Sequence, residues 1–159
     1  MKYDFLLDEN VLVWPLNAKE HTSGVRAATQ LWLFIARNCH KVLISKTLAG
    51  KYKNHLQSAR GTLQKGFPIP NFESVVQKVI YGKQKWIEVD ENLPVAEQKY
   101  IRHQNDLFLI KIAVQAPGCI FVCAEKSKQT LEDFRHPEIS KHNIRSLGIE
   151  EALEFAQET

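Results

Sequence analysis

The sequence predicts an α/β fold of three layers, α/β/α, with a central mainly parallel sheet and helices on both of its faces. Three observations lead there. Short apolar runs alternate along the chain with longer segments of helical periodicity, which is the pattern of parallel strands joined by crossover helices. The 159 residues suit one domain, residues 1–159, and their 44% hydrophobic and 25% charged content suits a folded chain rather than a disordered one. No repeat, low-complexity tract or linker divides the sequence.

The elements follow in order. Tyr3–Leu7 is a buried strand ending in Asp8-Glu9-Asn10. Val25, Ala28, Leu31, Trp32 and Ile35 recur at helical spacing and predict a helix over Val25–Ala36 behind the cap residues Thr22-Ser23-Gly24. Lys41–Ile44 is a second strand. Ser45 caps a helix over Lys46–Arg60, with Leu48, Tyr52 and Leu56 on one face. Gly61–Asn71, with its Pro-Ile-Pro, is a loop, and Phe72–Lys85 a third helix. Trp86–Val89 is a short strand. Pro94 suits the first turn of a helix reaching Arg102. Asp106–Ala116 is an apolar helix ended by Pro117-Gly118, and Cys119–Cys123 a compact buried strand. An extended piece over Asn143–Leu147 and a helix over Ile149–Ala156 close the chain.

Charge is unevenly distributed. The net charge is +3, yet residues 18–86 hold twelve Lys and Arg against two acids, Glu20 and Glu73, for a local +10, and the remainder carries −7. His21 to Phe72 contains no carboxylate. Interleaved in one fold, these parts set acids beside a basic surface. Basic surfaces attract phosphate and clustered carboxylates hold divalent cations. In parallel α/β sheets the sites gather at the carboxyl ends of the strands. That rule sends Asp8 and Glu125 to one rim, with Asp106 opening a helix nearby.

Other classes are excluded. No apolar run approaches the roughly 18 residues of a membrane-spanning helix, so no membrane partner is expected. MKYDFLLDEN carries acids and lacks the apolar stretch of a signal peptide. With three unclustered cysteines, this predicts a cytoplasmic protein with free thiols.

Four segments resemble one family in order and spacing, over nearly the whole chain. FLLDENVLV looks like the opening strand of PIN-domain (PilT N-terminus-like) ribonucleases, HQNDLFLIKIAV like their later helix headed by an Asp, IFVCAEK like their final core strand, and SLGIEEALEFA like their closing strand and helix. The resemblance implies a metal-dependent endoribonuclease using Mg²⁺ or Mn²⁺. It makes Asp8, Asp106 and Glu125 the catalytic and metal-binding acids and Asn10 a residue supporting the first of them. Asp133 is a reserve for Glu125, which is one methylene longer than the Asp usual there. Lys46, Lys51, Lys53 and Arg60 would hold RNA phosphate. RNA is the implied partner, together with an antitoxin-type protein, since many small relatives are toxins of toxin–antitoxin pairs, and a second copy of the chain in a homodimer.

The sequence departs from the family at its second acid, where Lys51 stands. An ammonium near a divalent ion opposes it, since unit charges 4 Å apart interact by about 4 kcal/mol at an effective dielectric of 20. Lys51 has three ways to avoid this: to swing outward, to pair with Asp8 or Asp106, or to bind the substrate phosphate. It also motivates the alternative, a catalytically degenerate PIN-like domain that binds RNA or a protein without cleaving.

Overall fold

Phe5, Leu6 and Leu7 are fully buried, so Asp4–Leu7 (β1) lacks the in–out alternation of a surface strand and sits in the middle of the sheet. In the computed structural model, which describes residues 2–17, 23–59, 76, 78–79, 82, 86–90, 92, 95–124 and 128–158, β1 is flanked by Lys41–Ile44 (β2) and Ile120–Cys123 (β4). Phe5 is in register with Val42 on one side and Ile120 on the other. Trp86–Glu88 (β3) and Arg145–Gly148 (β5) are the outer strands, in the order β3-β2-β1-β4-β5, and every pairing is parallel. Helices flank this sheet in a three-layer α/β/α arrangement.

Among the described residues lie the helices α1 (Asn10–Asn17), α2 (Ser23–Arg37), α3 (Lys46–Ala59), α4 (Leu107–Val114), α5 (Lys128–Phe134), α6 (Pro137–Ser140) and α7 (Ile149–Glu158). α2 packs along α7, and α1 sits against both α2 and α3. Phe121 of β4 stacks on Phe134 of α5 with ring centroids 3.7 Å apart, which fixes α5 to the sheet. Each fully buried Phe or Leu of this core contributes about 1.5–3 kcal/mol relative to exposure.

Residues 10–17 form a helix that sequence pattern does not suggest, because Pro15 lies inside it. A proline has no N–H for the carbonyl four residues earlier, here that of Val11. The buried Trp32 indole of α2 supplies the donor instead, Nε1 to Val11 O at 3.1 Å. α1 is thus held by a tertiary hydrogen bond at the point where its own ladder is broken. α3 follows the expected pattern: the Ser45 hydroxyl accepts the Leu48 N–H at 3.2 Å as N-cap, and Leu48, Tyr52 and Leu56 are buried. The Tyr52 hydroxyl donates to Leu7 O at the end of β1.

Other elements differ from expectation. The helix expected over Pro94–Arg102 is a 3₁₀ turn, Ala96–Tyr100, and Pro94 lies outside the described residues. Asp106 ends a second 3₁₀ turn, Gln104–Asp106, and the α-helix starts at Leu107. The loop Gly61–Asn71 and most of Phe72–Lys85 lie outside the described residues, while Val76, Lys78 and Val79 are helical. α5 and α6 were not anticipated. α6 is only four residues long and depends on local capping: Pro137 opens it, and His136 Nδ1 accepts the Glu138 N–H at 3.1 Å. All three cysteines are free thiols, Cys39 exposed and Cys119 and Cys123 buried. No described helix is long and apolar enough to cross a membrane.

Candidate active site

β1 stops at Leu7 and α1 begins at Asn10, so Asp8 and Glu9 form the turn at the carboxyl end of the central strand. β1 has β2 on one side and β4 on the other, and the chain order reverses there. This is the switch point at which open parallel sheets form their crevice. A cavity of about 410 Å³ lies at this rim, lined by Asp8, Glu9, Asn10, Lys51, Asp106 and Thr130.

Asp106 reaches the cavity because its turn is anchored from beneath. The buried Asp133 carboxylate accepts the backbone N–H groups of Arg102 and His103, each at 3.1 Å, just ahead of Gln104–Asp106. Thr130 Oγ1 then donates to Asp106 Oδ1 at 3.2 Å. Asp106 stands at the N-cap of α4, but its side chain makes no capping hydrogen bond. The ordinary structural job of an Asp at that position is therefore not what holds it there.

The adjacent acids Asp8 and Glu9 are driven in opposite directions. Burial raises the Asp8 carboxyl to about 6. The Glu9 N–H bonded to its Oδ1 at 2.8 Å opposes the rise, the charges of Glu9 and Asp106 add to it, and Lys51 opposes it. Asp106 is raised as well, first by burial and further by Asp133, against its hydrogen bond from Thr130. Partial burial pushes Glu9 up, but the hydrogen bond from His55 at 2.9 Å and Lys51 at 3.6 Å more than reverse it, and its pKa falls.

Lys51 takes a partner that sequence reading did not weigh. Its ammonium pairs with Glu9 Oε1 and lies 4.8 Å from the centre of the Phe108 ring at the cavity wall. Lys46 and Lys53, one α3 face seven residues apart, are turned roughly 150° round the helix from Lys51. They do not share its position at the cavity. Arg60 and Glu125 lie outside the described residues. Asp8, Asn10, Asp106 and Lys51 are thus brought together. Glu9, Thr130 and the anchoring role of Asp133 were missed. Glu9 was visible as the middle of Asp8-Glu9-Asn10. Nothing local marks the anchoring role of Asp133, whose partners are backbone groups some thirty residues away.

The donor set suits a hard cation. Two carboxylates, the Asn10 amide and the Thr130 hydroxyl offer oxygen ligands, and Mg²⁺ is commonly held by one or two carboxylates with its shell completed by water and phosphate. A buried carboxyl raised to about 6 is one whose ionised form lacks compensation, which a cation would provide. Among the described residues no group of three His, Cys, Asp or Glu is placed to hold a metal ion. Comparison of the chain with protein-family models, curated proteins and solved structures finds no match in any of the three.

Proposed function

We propose that the protein is a metal-dependent endoribonuclease of the PIN type, with Asp8 and Asp106 holding Mg²⁺ or Mn²⁺. The observation that carries this reading is that these two acids, distant in sequence, line one cavity at the sheet's switch point, both with raised pKa values. A bound divalent ion supplies activation of water and neutralisation of charge at the scissile phosphate. The residues of the chain do the rest. Thr130 orients the Asp106 carboxylate, and the Glu9 N–H orients that of Asp8. Asn10 supports the acids from the first turn of α1, and Lys51 offers its ammonium to the incoming phosphate. Glu125, as third acid, and Arg60, on the basic segment, enter this reading through the family resemblance. So do an antitoxin-type partner, a homodimer and a cytoplasmic location.

The test is calorimetric titration of Mn²⁺ together with cleavage of a single-stranded RNA. Wild type binds and cuts. Asp8→Asn and Asp106→Asn each lose both properties. A wild type that binds no Mn²⁺ refutes the reading. The position of Lys51 at the cavity favours a second one, a degenerate domain that binds RNA without cutting. That reading requires RNA affinity without Mn²⁺ affinity, which the same titrations detect.

A further inference from the structure

A second cavity, of about 670 Å³, shares a wall with the carboxylate site. Thr130 and Leu131, consecutive in α5, line the first and second cavities respectively. Asp133 lines the second while its charge acts on Asp106 in the first. The volume is that of a small-molecule site, for which about 300–1,000 Å³ is usual.

Three chemistries meet in its wall. Tyr100 and His136 offer flat rings, stacked on each other at 4.9 Å and 26°. Arg102 and Arg135 offer guanidinium groups. Arg135 commits one nitrogen to Ser146 O at 3.2 Å, and a guanidinium carries five N–H donors. Glu132 and Glu151 offer carboxylates, which only accept hydrogen bonds; Glu151 receives the Gly148 N–H at 3.3 Å and keeps further lone pairs. A flat ring to stack, an N–H edge to donate and a phosphate to pair are the three parts of a nucleotide.

We propose that this cavity takes one base of a single-stranded RNA, next to the phosphate at Asp8 and Asp106. This inference rests on the ribonuclease reading and names its substrate more closely. The base stacks on the Tyr100–His136 pair, displacing the Lys99 ammonium that lies 5.2 Å from the Tyr100 ring centre. Glu132 and Glu151 repel phosphate and accept from base donors, so they turn the base inward and leave its phosphate to Arg102 and Arg135. Guanine, with two adjacent N–H donors on its pairing edge, is selected over uracil with one. Duplex RNA is excluded because its bases are already stacked and paired.

The experiment is amide NMR titration of the full chain with 5′-GMP and 5′-UMP without metal. GMP is expected to shift the amides of Tyr100, Arg102, Leu131 and Gly148 and to bind roughly tenfold more tightly than UMP. Tyr100→Ala weakens GMP by roughly tenfold, as loss of a stacking platform does. Arg102→Ala, at an exposed side chain, weakens it too and guards against a folding defect in the first variant. Glu151→Gln reduces the GMP preference. Equal affinity for GMP and UMP, shifts confined to the Asp8–Asp106 cavity, or undiminished GMP binding by Arg102→Ala overturns the proposal. Mn²⁺ titration separates the two readings: GMP binding here without Mn²⁺ binding overturns the nuclease reading alone, and Mn²⁺ binding without GMP binding overturns this one alone.

Discussion

The cavity at the end of β1 and its neighbour around Tyr100 treat charge differently. In the first, Asp8 is buried, its carboxyl stands at about 6, and the neighbouring charges of Glu9 and Asp106 make its ionisation harder still. In the second, Arg102, Arg135, Glu132 and Glu151 are exposed and keep their water. The first cavity therefore holds electrostatic strain that a cation would relieve, while the second would rely on shape, ring faces and solvated groups. The two are joined at Asp133, whose carboxylate fixes the backbone leading to Asp106.

The largest effect should come from breaking that joint. Asp133→Ala leaves two N–H groups, of Arg102 and His103, without their acceptor, at about 1–3 kcal/mol each where they are buried. Urea unfolding should show a loss of about 2–5 kcal/mol, and Mn²⁺ and GMP binding should weaken together. Loss of only one of the two would mean that the cavities are independent.

Asp8→Asn sharpens the contrast. The folded Asp8 pKa of about 6 lies above its ordinary 3.8, so the folded protein holds this proton more tightly than the unfolded chain. The stabilisation from that proton is complete below the ordinary value and is lost as pH rises through about 6. Asn carries no charge, so at pH 8 the variant should be more stable than wild type by about 3 kcal/mol, and at pH 4 the gain should largely vanish. Thermal melts across this range check it, and a destabilised variant at pH 8 contradicts the burial argument. Mn²⁺ binding should be lost in the same protein.

Lys51→Glu is expected to act on the first cavity only. It exchanges an ammonium for a third carboxylate, and ligand charge sets divalent affinity, so Mn²⁺ should bind about tenfold more tightly while GMP affinity stays unchanged. An unchanged Mn²⁺ isotherm would place Lys51 outside the field of the ion. The smallest effects concern phosphate contacts made by the cations of α3. Lys51→Ala should reduce the log–log salt slope of RNA binding by about 0.7, the contribution of one phosphate contact to a single strand. The Lys46→Ala/Lys53→Ala double variant should leave cleavage intact, since these residues face away from the cavity. Cleavage lost in the double variant would show that RNA wraps α3 rather than entering at the sheet rim.

What could be read from the sequence follows from how local its cause is. β1, β2 and β4 are continuous apolar runs whose burial on both faces leaves one interpretation, and the rim rule then brings Asp8 to the site. α1 escaped because Pro15 argues against a helix, and the opposing force is an indole on another helix. Asp106 was legible as a candidate acid near the rim, where it lines the cavity, but its support by Thr130 and Asp133 was not, since both contacts depend on how α5 packs on the sheet. Lys51 stood out as a cation where an acid was expected. Its pairing with Glu9 joins residues in different elements, which spacing along the chain does not reveal.

The bond between Trp32 Nε1 and Val11 O also makes the indole proton a reporter. α1 starts two residues beyond Asp8, so a movement that swings α1 away from α2 would pull on the turn carrying Asp8 and Glu9. Such an opening exposes the Trp32 indole N–H to solvent, and its hydrogen exchange then measures the free energy of the opening directly. Backbone amides of α1 report fraying of the helix itself. The indole reports separation of the two helices, a slower and more global event. Exchange at this one proton, followed with and without Mn²⁺, would distinguish an ion that rigidifies the entrance to α1 from one that binds a turn already held in place.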